Sequence, residues 1–267
     1  MIPKGHNTRL ITGICILLLL ATALYFDGWL MFAVILLTSL CAQYEFYNMF
    51  WQGKNEMRAE KLCGLLAGTG LLLSVFLGNR DAATFCVIAA SVMGAVSFLV
   101  RYGAGKDDAS LPQSMLLLAG FAYVPMLLQL AFSLHALELV LIIVAVTASD
   151  AAAYYAGSMW GKRKIWPRVS PKKSWVGSVA GLLACTLIVT LLGLVLWQGF
   201  WLHWLILGLI LNIMAQLGDF FDSALKRSSN VKDSGTILPG HGGVLDRIDS
   251  FLFALPTYAL LHSLLFS

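Results

Sequence analysis

Apolar residues in this chain come in long blocks parted by short polar stretches, and the length of the blocks carries the first inference. An α-helix rises about 1.5 Å per residue, so a bilayer core about 30 Å thick asks for about 20 apolar residues. Nine blocks meet or approach that length: 10–26, 29–50, 62–78, 82–101, 111–132, 135–159, 175–198, 200–222 and 247–266. Each predicts a membrane-spanning helix, because a helix satisfies its own backbone groups inside lipid. The expected fold is all-α, a polytopic integral membrane protein of about nine helices with a polar site at one membrane face. Residues 1–267 read as a single membrane domain: 1–140 holds helices one to five and the start of helix six, and 141–267 holds the helices and loops that carry the chemistry. Pro125, inside the fifth block, predicts a kink.

Composition agrees. The 267 residues are 59% hydrophobic and 12% charged, about half the charged share of a soluble domain. The basic residues test the helix count. With nine spans, the N-terminus and alternate loops share one side, which receives Lys4, Arg9, Lys54, Arg58, Lys61, Arg101, Lys106, Lys162, Arg163, Lys164, Arg168, Lys172, Lys173, Lys226, Arg227, Lys232 and Arg247. The other side receives Arg80 alone. The positive-inside rule puts the rich side in the cytosol, so the N-terminus is expected inside and the C-terminus outside. Trp51, Trp160, Trp166 and Trp175 fall near cytosolic span ends, and Trp29, Trp197, Trp201 and Trp204 near outer ends, as an interfacial belt would place them. Lys4, Arg9, the first apolar block and Ala21-Thr22-Ala23 also resemble a cleavable signal peptide, although a second span follows almost at once. Small size without a transit segment fits a bacterial inner membrane.

The net charge of +4 does not suggest a nucleic-acid partner; its concentration on one face suggests membrane lipid headgroups or phosphates. The five cysteines lie in apolar spans without CxxC spacing, which reads as small buried hydrophobes.

The chemistry is concentrated in the polar segment from Ser223 to Asp249, SALKRSSNVKDSGTILPGHGGVLDRID. At about 100° per residue, Asp219, Asp222, Ser223 and Lys226 share one stripe of helix eight. Two carboxylates there are costly against lipid, so the stripe should face protein, water or metal. An Asp222–Lys226 pair at i,i+4 is the plainer account. Asp246 and Asp249 open helix nine, where capping explains part of their presence. A second acidic pair at the same membrane face suggests a site for a hard divalent cation, Mg²⁺, one ion or two. Between the pairs, Gly240, Gly242 and Gly243 would let backbone N–H groups approach phosphate, His241 adds a donor, and Lys226, Arg227, Lys232 and Arg247 could neutralise a triphosphate. A second basic cluster, WGKRKIWPRVSPKKSWVG, spans Trp160 to Gly177; topogenic charge on lipid headgroups explains Lys162, Arg163 and Lys164 equally well. Asp150, inside an apolar helix, is a functional candidate by cost or else a buried hydrogen-bonded acid. Glu138 is expected toward the outer surface, away from the site; Glu45 lies in the cytosolic half of helix two, and neither is assigned a role.

The string S-x-L-K-R-x4-K-D-x-G-x2-L-P-x-H-G-G-x-x-D-R-x-D, from Ser223 to Asp249, resembles the signature of the phosphatidate cytidylyltransferases, or CDP-diacylglycerol synthases. Ser170 to Trp175 resembles that family's SPKKTW element, and Ser149 to Tyr154 its DTGAY segment. The resemblance covers the last 120 residues. Ala151 and Ala152 replace the usual Thr and Gly, Val176 stands where Glu or Gln is common, and Asp222 where Glu is common.

The resemblance implies transfer of CMP from CTP to phosphatidate, giving CDP-diacylglycerol and pyrophosphate. It implies Asp219, Asp246, Asp249 and Lys226 as catalytic residues, the three aspartates holding Mg²⁺. It implies Lys172, Lys173, Ser223, Arg227, Lys232, His241, Gly242, Gly243 and Arg247 for substrate, Asp150 and Asp222 as secondary candidates, and a homodimer. A CDP-alcohol phosphatidyltransferase would need Gly where Ser223 stands, and an A-R that does not follow. Another CTP-dependent lipid kinase or nucleotidyltransferase stays open. An ion-coupled transporter would spread ionisable groups through the bilayer depth, whereas here nearly all, Asp150 apart, gather at one face.

Overall fold

Each of the nine apolar blocks folds as helix. The computed structural model describes residues 6–52, 57–105 and 110–266, with side chains from residue 11 onward. Lys4, Lys54 and Lys106, and the side chain of Arg9, on which the charge count drew, lie outside the described residues. The helices are α1 (His6–Phe26), α2 (Gly28–Phe50), α3 (Arg58–Phe76), α4 (Arg80–Gly103), α5 (Leu111–Tyr123), α6 (Pro125–Leu128), α7 (Ala136–Trp160), α8 (Trp175–Leu196), α9 (Trp201–Ser228) and α10 (Leu245–Leu265). Among the described residues, eight helical segments, α5, α6 and the following turn counted together, are long and apolar enough to cross a membrane. The apolar part of α1, Ile11–Phe26, is shorter. This is an integral membrane protein of all-α class.

The break at Pro125 is present. The chain leaves α5 at Val124 (φ −104°, ψ −76°), restarts as the single turn α6 and tightens into a 3₁₀ turn, Gln129–Ser133. Proline has no N–H for the helical ladder, which is why the helix restarts with Pro125 in its first turn.

The structure divides into two units that are not contiguous in sequence: Met1–Phe132 with Asp233–Arg247, and Ser133–Lys232 with Ile248–Ser267. In the first, α2 is the organising helix. Tyr47 donates its hydroxyl to the Leu117 carbonyl at 2.8 Å, and Gln43 donates to the Gly64 carbonyl at 3.0 Å, so α2 is hydrogen-bonded to α3 and α5. Glycine at 64 and 120 leaves room for the Tyr47 ring. Ala67, Leu71, Ala90 and Phe121 form an apolar core beside it.

In the second unit α7, α8 and α9 pack through small residues. A methyl group at Gly177 would stand 2.6 Å from the Ala153 carbonyl, and one at Gly208 would stand 2.8 Å from Thr186 Cα. Membrane helices are held by such close backbone approach and by interhelical hydrogen bonds, the latter on the order of 0.6 kcal/mol each. The bonds here form a chain: Asn212 donates to Ser149 Oγ at 2.6 Å, Gln216 bonds to Asn212, and Ser178 bonds to Gln216.

Two expectations are corrected. Trp51 and Trp204 are fully buried and so are not belt residues. Trp51 stacks on Tyr47 at 5.0 Å; Trp204 packs on Phe266 at 4.3 Å and donates its indole N–H to the Gln198 carbonyl. Glu138, to which no role was assigned, is buried: it accepts the His135 N–H at 2.7 Å and the Tyr258 hydroxyl at 3.4 Å, and lies 3.5 Å from His262 Nδ1. All five cysteines are free, as expected, but only Cys185 is buried.

Candidate active site

The polar segment is more helical than its composition suggests. Helix α9 carries on past the apolar block to Ser228 and stops where Asn230 turns left-handed (φ 57°), with Val231 N–H capping the Lys226 carbonyl at 2.9 Å. Helix α10 starts at Leu245. Irregular backbone is therefore confined to 229–244.

Within the second unit, α9 presents Asp219, Asp222, Ser223 and Lys226, as the stripe predicts. Asp222 is fully buried and pairs with Lys226 Nζ at 2.5 Å, the i,i+4 pair foreseen. Asp219 pairs with Lys173 from the loop before α8. The Lys173 ammonium also lies 4.2 Å over the Phe220 ring, a cation–π contact. Gly218 admits the backbone of α10 at Asp249, and Asp219, Asp222 and Lys226 all lie within electrostatic reach of the Asp249 carboxylate. Asp150, exposed on α7, is within reach of Asp219 and Lys173. Four carboxylates thus gather around two ammonium groups.

The basic loop 161–174 is a built structure. Ile165 N–H donates to the Lys173 carbonyl at 3.3 Å and Trp175 N–H to Arg163 at 3.1 Å, so its two ends run antiparallel. Ser174 caps α8 through the Gly177 N–H, and Lys164 Nζ donates to the Lys172 carbonyl. Trp166 packs edge-on against Phe220 at 4.8 Å. The loop is anchored on α9 beside Asp219, while Lys172 is exposed.

The first unit holds the other half of the motif. Leu238-Pro239-Gly240-His241 is a turn closed by the His241 N–H on the Leu238 carbonyl at 2.9 Å; Pro at its second position and Gly240 at φ 77° are what a type II turn demands. The Asp246 carboxylate accepts the Ser234 N–H at 3.1 Å and the Gly243 N–H at 2.9 Å. Arg247 grips the His241 carbonyl through Nε at 3.0 Å and Nη2 at 2.6 Å, and Arg227, in the second unit, bonds its own helix end at Val231. Lys232 is exposed, and His241 and Gly242 are half-buried. The Gly243 N–H, expected to meet phosphate, is engaged by the Asp246 carboxylate, and the His241 N–H closes the turn.

Asp219, Asp246 and Asp249 were expected to gather on a cation. Among the described residues no three carboxylate, imidazole or thiol groups stand close enough to share one ion. Asp219 is held by Lys173 and Asp246 by two backbone amides. The donor chemistry still suits a hard dication: Asp150, Asp219, Asp222 and Asp249 offer carboxylate oxygens around two lysines.

Several contributors were not assigned from sequence. Gly218, Phe220 and Trp166 position the Lys173–Asp219 pair, and Glu45, 2% exposed, accepts the Ser234 hydroxyl at 3.2 Å and the Leu245 N–H at 2.9 Å. A carboxylate in an apolar helix was the available signal for Glu45.

Known proteins resemble this chain along nearly its whole length. The Cytidylyltransferase family profile matches residues 7–265. A phosphatidate cytidylyltransferase of Staphylococcus aureus (strain COL) is 35% identical over 264 residues, covering 96% of this chain and 98% of its own length. That of Staphylococcus saprophyticus is 32% identical over 264 residues with the same coverage, and that of Bacillus subtilis (strain 168) is 46% identical over 114 residues, 42% of each chain. A match running through nearly the whole chain places this protein in the Cytidylyltransferase family.

Proposed function

We propose that this protein transfers CMP from CTP to phosphatidate, forming CDP-diacylglycerol and pyrophosphate in phospholipid biosynthesis. The observation that carries the reading is the Lys173–Asp219 pair, which ties the SPKKSW loop to the α9 motif beside Asp222, Lys226 and Asp249. Family membership and the named relatives support the substrates.

A phosphatidate phosphate oxygen attacks the α-phosphorus of CTP, the new O–P bond forms, and the α–β bridge breaks to release pyrophosphate. No covalent enzyme intermediate is needed, so catalysis rests on placing the two anions and neutralising them. Lys172 and Lys173, with Lys226, Arg227, Lys232 and Arg247, neutralise phosphate charge; Ser223, His241 and the Gly242–Gly243 backbone offer hydrogen bonds. Asp219 and Asp249, with Asp246 one helical turn before Asp249, would hold Mg²⁺, which when bound polarises phosphoryl oxygens and stabilises the leaving pyrophosphate. Asp219 keeps the Lys173 ammonium beside the acidic cluster until an anion competes for it. Asp150 and Asp222 tune the charge around that pair.

The same reading puts the N-terminus and the basic loops in the cytosol, where CTP is, the C-terminus outside, and the protein in a bacterial inner membrane among anionic lipids, as a homodimer. Release of pyrophosphate from CTP by the purified protein, required to depend on added phosphatidate and on Mg²⁺, tests it. Release without phosphatidate would sink the assignment of the acceptor.

A further inference from the structure

Glu45 lies near the end of α2, where it is the one charged residue of the helix, and a buried carboxylate there is costly to keep. Its contacts show what the cost maintains. Oε2 accepts the Ser234 hydroxyl at 3.2 Å and the Leu245 N–H at 2.9 Å, and the Val244 N–H also bonds to the carboxylate. The Leu245 amide belongs to the first turn of α10, one of the donors a helix cannot satisfy internally. Glu45 therefore caps α10 from 200 residues away.

The loop is shaped around this group. A methyl group at Gly243 would stand 2.6 Å from Glu45 Oε2, and one at Gly235 would stand 2.7 Å from its Cδ. Both glycines are needed for the backbone to close on the carboxylate. Ser234 and Gly243, two of the residues that line Glu45, also hold Asp246 through their N–H groups. Ser234 thus touches Glu45 with its hydroxyl and Asp246 with its amide.

We propose that Glu45 is a positioning residue: it clasps loop 234–245 shut and through Ser234 and Gly243 sets the Asp246 carboxylate that serves the cation and the nucleotide phosphates. The clasp stands on the contacts above; its catalytic consequence rests on the function proposed. Glu45 touches no reacting atom. Its loss should loosen the loop and weaken metal and nucleotide binding, leaving the lipid side of the reaction unchanged.

The test compares purified full-length wild type with Glu45→Leu, Glu45→Gln and Ser234→Ala in detergent. Amide hydrogen exchange of 233–245 is followed without metal, and CMP transfer is followed against Mg²⁺, CTP and phosphatidate. In Glu45→Leu the loop should exchange about tenfold faster or more, and half-saturating Mg²⁺ and KM for CTP should rise about 10- to 100-fold, as for residues that orient metal ligands. KM for phosphatidate should stay within about twofold of wild type by the same reasoning. Glu45→Gln, which keeps one acceptor oxygen, and Ser234→Ala should shift the same quantities by less. Unchanged exchange in the variants would remove the clasp; faster exchange with an unchanged Mg²⁺ midpoint would make Glu45 merely structural and overturn the proposal. If Glu45→Leu does not yield folded protein, Glu45→Gln and Ser234→Ala decide by the same readouts. A wild type that binds substrates but transfers no CMP would refute the functional reading instead, and the exchange comparison would still decide the clasp.

Discussion

Gly218 on α9 and Asp249 on α10 approach so closely that a methyl group at position 218 would stand 2.6 Å from the Asp249 carbonyl oxygen. The same added group would press on the Phe253 ring. This approach brings Asp249 alongside Asp219 and Asp222, so the acidic cluster depends on the absence of a side chain.

Gly218→Ala should therefore force α9 and α10 apart. Overpacking of this kind costs about 1–3 kcal/mol, and the displaced carboxylates should cost activity beyond the loss of stability. Thermal unfolding and CMP transfer measured together check this. Transfer lost only in proportion to unfolded protein would show that the contact matters for packing alone.

Lys173→Gln removes the partner of Asp219 and the cation over Phe220. Transfer should fall about 10- to 100-fold, the worth of a charge-assisted hydrogen bond to phosphate, and Lys173→Arg should recover part of it. Full activity in the glutamine variant would release Lys173 from the site.

Asp219→Asn and Asp246→Asn should each lower transfer by about 100-fold or more if the carboxylates serve a Lewis-acidic cation, while the protein still inserts and folds. Asp246→Asn should in addition loosen the loop, since that carboxylate accepts two backbone amides. Near-normal turnover in either variant would end the metal assignment.

Glu138→Gln should destabilise the protein. The buried carboxylate accepts from His135 and Tyr258 and lies beside His262, and weakening such a group costs about 1–3 kcal/mol. A lower unfolding temperature with unchanged turnover per folded molecule is the expected outcome. A loss of turnover at full stability would tie Glu138 to catalysis.

What could be read in advance followed from local rules. Lipid demands apolar length, so the spans were legible from hydropathy, and Pro125 broke its helix because a missing donor does so anywhere. The α9 stripe was legible because Asp219, Asp222, Ser223 and Lys226 lie within two helical turns. What escaped depends on partners distant in the chain. Glu45 meets Ser234 and Leu245 across 189 and 200 positions, and Lys173 finds Phe220 only after the loop folds back on α9. Trp51 and Trp204 sit at span ends, where hydropathy alone does not tell a ring at the interface from one packed on Tyr47 or Phe266.

The central claim, CMP transfer to a lipid phosphate, is tested most directly by following label from CTP marked separately at its α- and γ-phosphorus, with purified protein, phosphatidate and Mg²⁺. The account predicts that α-label enters the lipid and γ-label leaves as pyrophosphate. Lipid labelled from the γ-position, as a CTP-dependent lipid kinase would give, would contradict it.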